Sequence, residues 1–149
     1  MADGDDNFKQ EWFGRFVENI PNAYVSALRH LARHAQAKLG FVDGGLRSAF
    51  WIDGRSFYVL QCRGVHDLDA QITGLVIQLD NVTSAGVAFE IDFNPSDNSA
   101  ETGRILTIRS PDGPITITAS PGAVPDREER AKIEVFIDQV LDALAGRDA

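Results

Sequence analysis

The stretch Val87-Ala88-Phe89-Glu90-Ile91-Asp92-Phe93 sets a large apolar residue at every second position, with Ala, Glu or Asp between. Successive side chains of a β-strand leave on opposite faces, so a period of two predicts a strand with one apolar and one acidic face. Such strict alternation belongs to an antiparallel sheet with one face packed and the other open to water or a partner. The expectation is that Val87, Phe89, Ile91 and Phe93 face the core and that Glu90 and Asp92 stand outside.

Working outward, Leu75, Ile77 and Leu79 alternate with Val76, Gln78 and Asp80 in a neighbouring strand. On the other side the polar loop from Asn94 to Gly103 leads to a strand from Arg104 to Arg109, a Ser-Pro-Asp-Gly turn and a strand from Ile115 to Ala119. Upstream, SAFWIDGRSFYVLQCR (residues 48–63) reads as a hairpin that turns at Asp53-Gly54. That dipeptide suits the left-handed backbone of a tight hairpin turn. Both hairpin faces are apolar, because Phe50, Ile52, Phe57 and Val59 cannot share a side with Trp51, Tyr58 and Leu60.

Helical periodicity brackets these strands. Trp12, Phe13, Phe16, Val17 and Ile20 form one stripe before Pro21, and Tyr24, Leu28, Leu31, Ala35 and Leu39 form a second. The second stripe predicts a helix from Asn22, as its cap, to Leu39, closed by Gly40. At the other end, Asp126 with Glu129 makes a capping box ahead of the stripe Ile133, Phe136, Ile137, Val140, Leu141 and Leu144. The fold class is therefore α+β: two N-terminal helices, a six-stranded antiparallel meander and a C-terminal amphipathic helix packed on one sheet face. Residues 8–146 are expected as a single domain, with flexible tails at 1–7 and 147–149.

Length and charge narrow the function class. At 149 residues the chain can bury a core without staples. Cys62 is the only cysteine, which excludes an intrachain disulfide and suits a reducing, cytoplasmic setting. No apolar run approaches the ~18 residues of a membrane span. The net charge of −8 argues against nucleic acid and toward a basic protein partner. The charge is uneven: residues 19–41 hold three bases and no acid, whereas residues 64–103 hold seven acids and no Lys or Arg.

Candidate sites follow from residue type and spacing. His30 and His34 share a helical face at the interval that presents two imidazoles to a metal, and His66 with Asp67 supplies further ligands from the loop after the hairpin. The bland account is a solvated helix face and an aspartate-stabilised turn. The loop holding Asn94, Ser96, Asp97, Asn98 and Glu101 is rich in oxygen but lacks the calcium-loop pattern. Cys62 ends an apolar strand and reads as core, and no serine sits in a nucleophile elbow. No cofactor motif is present.

Two surfaces suit binding. One is the acidic sheet face, with Asp80, Glu90 and Asp92 among Gln78, Thr116 and Thr118. The other is the aromatic hairpin of Phe50, Trp51, Tyr58 and Leu60, a patch for a protein partner or a second copy if the helices leave it uncovered. The expected function is a noncatalytic protein-binding domain, such as an adaptor, secretion chaperone or immunity-type inhibitor. Element order also resembles the helix-grip fold of the Bet v 1 and START superfamily after its first strand, and that of type III secretion chaperones. The helix-grip resemblance implies an apolar-ligand carrier or enzyme. A metal-dependent hydrolase built on His30, His34, His66 and Asp67 is a further alternative.

Overall fold

The computed structural model describes residues 2–14, 20–43, 46–64 and 66–146. The chain forms two compact units, Met1–Val76 and Ile77–Ala149. The fold is α+β, with two N-terminal helices, antiparallel strands and a C-terminal helix packed on a sheet. None of the described helices is long and apolar enough to cross a membrane.

In the first unit, α1 (Ala2–Phe13) and α2 (Asn22–Leu31) precede β1 (Ala37–Asp43), β2 (Leu46–Asp53), β3 (Ser56–Arg63) and β4 (Gln71–Gln78), whose last two residues fall past the unit's end at Val76. The four strands form one sheet in chain order. Asp53 and Ser56 close the β2–β3 hairpin, with Gly54 in the left-handed region at φ 61° as the turn requires. Register sets Ala49 and Trp51 opposite Leu60 and Tyr58, and these side chains pack with Trp12, Phe13, Tyr24, Val25 and Leu28 of the helices. The Trp51 ring stacks on Tyr58 at 5.0 Å and meets the edge of Trp12 at 5.9 Å.

The second helix stops at Leu31, eight residues before the expected end, and residues 37–43 form a strand instead. The ladder from Ala37–Ile52 to Asp43–Leu46 gives this segment an extended main-chain partner that a longer helix would forgo. Gly40 therefore does not cap a helix. A Cβ at Gly40 would lie 2.1 Å from the Trp12 carbonyl oxygen, so its missing side chain is what lets α1 rest on β1. Of the first helical stripe, Phe16 and Val17 lie outside the described residues.

In the second unit, a single 3-10 turn (Leu79–Asn81) leads into β5 (Ser84–Asn94), β6 (Ser99–Ser110), β7 (Gly113–Thr118) and α3 (Arg127–Leu144). The three strands form a separate antiparallel sheet in the order β5-β6-β7. The described residues thus form seven strands, in sheets of four and three, where the sequence predicts one six-stranded meander. The single curled sheet of a helix-grip arrangement is not formed by the described residues.

Asp126 caps α3, its carboxylate accepting from the Glu128 and Glu129 amides at 2.8 and 3.3 Å. Ile133, Phe136, Ile137 and Val140 are buried as the stripe predicted, and α3 lies against β6 and β7. Leu106 and Ile108 of β6 and Ile117 of β7 are buried with them, on one sheet face by register.

Tyr24 makes the most testable contact of the first unit. Its side chain is fully buried, and the hydroxyl donates to the Leu60 carbonyl at 2.6 Å. Tyr24→Phe removes this buried hydrogen bond and should cost about 0.5–1.5 kcal/mol in denaturant unfolding. Burial, with the nearby Cys62 second, pushes the phenol far above its ordinary pKa. A group raised on folding contributes stability that is complete below its unfolded pKa, about 10, and is lost as the pH climbs beyond it. Stability of the native chain should fall above about pH 10 more steeply than that of Tyr24→Phe.

Candidate functional site on strand β5

Among the described residues, strand β5 is the one long element whose residues are all exposed, on both faces. Register explains how. Val87 lies opposite Leu106 and Phe89 opposite Arg104, so the alternating stripe shares the face of β6 that α3 covers. The face assigned from the sequence is correct, but the cover is missing. Val87, Phe89, Ile91 and Phe93 are exposed to 40, 69, 67 and 55 %, so they are not core residues beneath the last helix. A helix with its side chains is roughly 10–12 Å wide and strands are about 4.8 Å apart, so one helix shields two strands. Those two are β6 and β7.

Electrostatics fix the position of α3. Arg104 of β6, level with Phe89 in the register, reaches the helix, its Nε donating to Glu134 at 2.7 Å and its Nη2 to Asp138 at 2.8 Å. At the helix start, the buried Arg130 donates to the carbonyls of Val124 and Pro125 at 2.7 and 2.9 Å and pairs with Glu101 at 3.1 Å. Arg127 holds the same carboxylate at 2.6 Å. These pairs tie α3 to β6, and the apolar stripe of β5 stays exposed.

The opposite sheet face carries the acids. Glu90 is level with Gly103 and Asp92 with Glu101, and Thr116 and Thr118 of β7 share this side. A Cβ at Gly103 would fall 1.8 Å from the Ala119 carbonyl oxygen, so the chain leaving β7 passes directly against β6 there. Glu101 is neutralised by its two arginines, which leaves Glu90 and Asp92 as the exposed charges of β5. Asp80 stands apart, in the 3-10 turn before the strand, and Gln78 belongs to β4.

The aromatic hairpin is not a surface. Phe50, Trp51 and Leu60 are exposed to 7, 1 and 5 %, and Tyr58 is half-buried against Trp51. Both faces of the hairpin are covered, which is why neither shows polar alternation. Phe50 packs near Phe57 at 6.2 Å on the side away from Trp51.

The four metal candidates do not converge. The Asp67 carboxylate accepts from the Ala23 amide at 2.9 Å and so caps the start of α2, the role expected of Asn22. His30 lies seven residues further along, about 10 Å up the axis at 1.5 Å per residue, and His34 lies beyond the helix end. His66 donates its amide to Asp69 within a turn. Among the described residues, no three His, Cys, Asp or Glu side chains are grouped to hold a metal. The polar loop is a four-residue turn, in which Asn94 and Asp97 accept from the Ser96 and Ser99 amides at 3.0 and 3.1 Å. Cys62 is buried, and that burial pushes its thiol up.

Glu101 gives this region a pH signature. The hydrogen bond from Arg127, reinforced by Arg130, holds its carboxyl below the usual carboxylate range. A depressed carboxylate contributes stability above its unfolded pKa, about 4.3, and that contribution is lost as the pH falls through the folded value. The native chain should therefore lose stability below about pH 5, and Glu101→Gln should show a shallower acid limb in thermal melts from pH 6 to 3. No protein-family model, characterised protein or solved structure matches this chain, so its function is argued from the geometry of β5.

Proposed function

We propose that this chain is a noncatalytic protein-binding domain whose partner docks on strand β5 and carries a basic surface. One observation supports the reading above all: eleven consecutive strand residues are exposed on both faces, with apolar side chains sorted to one side and acids to the other. A contiguous stripe of two phenylalanines, an isoleucine and a valine is the kind of surface that marks an interaction site. Glu90 and Asp92, in a chain of net charge −8, steer a basic protein toward it and set its orientation. The large apolar residues then slow its departure.

The division of labour gives a specific expectation. Neutralising the two strand acids, Glu90→Gln with Asp92→Asn, should weaken capture of a partner from source-cell extract several-fold and reduce the salt dependence of its association. Asp112→Asn with Glu128→Gln removes the same charge from elsewhere in the second unit and should leave capture unchanged. Equal losses from both pairs would show that net charge alone is at work and would refute the assignment to β5.

A further inference from the structure

Sheets usually guard their edges, because an unpaired edge invites another strand. The guards are short length, charged side chains and above all lysine, proline or a bulge. This chain guards two of its four outer strands: β1 carries Lys38, paired with Glu11, and β7 is six residues long and holds Pro114. The outer strand β4 has eight residues and a glycine, Gly74, near its middle. Strand β5 has eleven residues, no Lys, Arg or Pro, and no flanking strand among the described residues on the side away from β6.

From this edge we infer that β5 pairs antiparallel with β5 of a second copy, with Phe89 on the two-fold axis. Two independent considerations select that register. Phe89 is the midpoint of Ser84–Asn94, so this alignment alone pairs all eleven residues. It also sets each acid opposite a small neutral residue, Glu90 against Ala88 and Asp92 against Gly86 of the second copy. An axis at Glu90 would oppose that residue to itself, and one at Ile91 would oppose Glu90 to Asp92, both repulsive. A shift that pairs odd with even positions would bring the apolar stripe of one copy onto the acidic face of the other.

In the Phe89 register, Val87 meets Ile91 and Ala85 meets Phe93, so the apolar stripes merge on one face of a six-stranded sheet. The acids of the two copies gather on the other face. The inference rests on the strand edge and not on the binding reading. A monomer would leave capture through Glu90 and Asp92 untested, and failed capture would leave the dimer standing.

Light scattering on the full chain tests it. The native protein at roughly 100 µM should have twice the chain mass, since even a weak specific dimer of micromolar Kd is then mostly assembled. Phe89→Lys and Phe89→Asp should each be monomeric, because like charges meet on the axis, and an equimolar mixture of the two should recover the dimer. Phe89 is 69 % exposed, so both variants should retain the native far- and near-UV circular dichroism. Paired strands bring opposed Cα atoms to roughly 4.5–5.5 Å, within disulfide range. In a Cys62→Ala background, Phe89→Cys should therefore cross-link under mild oxidation far more than Glu90→Cys. A monomeric native chain, dimers that survive both charge substitutions, or preferential linkage at position 90 would each overturn the proposal.

Discussion

The width of an α-helix governs the second unit. A helix shields about two strands, and α3 is fixed over β6 and β7 by Arg104, which bonds Glu134 and Asp138, and by Arg130, which bonds the carbonyls before the helix and pairs with Glu101. The third strand keeps its amphipathic pattern but receives no cover. The exposure of Phe89 and Ile91 thus follows from the placement of α3 and needs no distortion of the strand. A surface of this kind costs solvation and invites association, and chains that keep one generally use it.

The first unit shows the same geometry with cover supplied. Two helices pack over β2 and β3, with Tyr24, Trp51 and Tyr58 filling the space between, and the hydroxyl of Tyr24 finds a carbonyl in the sheet. The aromatic residues that looked most suited to binding are used up in this packing. The contrast between hairpin and β5 lies in what lies over each strand, since both are rich in phenylalanine and aliphatic residues.

Much of the architecture was legible because its signals are local. The alternation in β5, the Asp53-Gly54 turn, the Asp126 cap and the α3 stripe each lie within a few residues of chain and specify their own conformation. Strand β1 was hidden because Leu31, Ala35 and Leu39 mimic a helical stripe and because Gly40 serves equally as a helix cap or as a point of close approach. The binding surface was half legible. Sorting Glu90 and Asp92 from Phe89 and Ile91 needs only a period of two, whereas the bareness of the apolar side depends on where α3 docks. Counting strands against helices would have hinted at it, since one terminal helix cannot roof three strands. The histidines misled because helical spacing carries no information on distance from a loop forty residues away, and Asp67 turned out to cap α2 at the end opposite His30.

The binding role requires an apolar face of β5 that is open to solvent, a property that edge pairing between copies would leave intact. Hydroxyl-radical footprinting read by mass spectrometry measures it residue by residue. The structure predicts fast oxidation of Phe89, Ile91 and Phe93 and strong protection of Trp51, Phe57 and Phe136. Protection of Phe89 and Phe93 to the level of Phe57 in the isolated chain would contradict it.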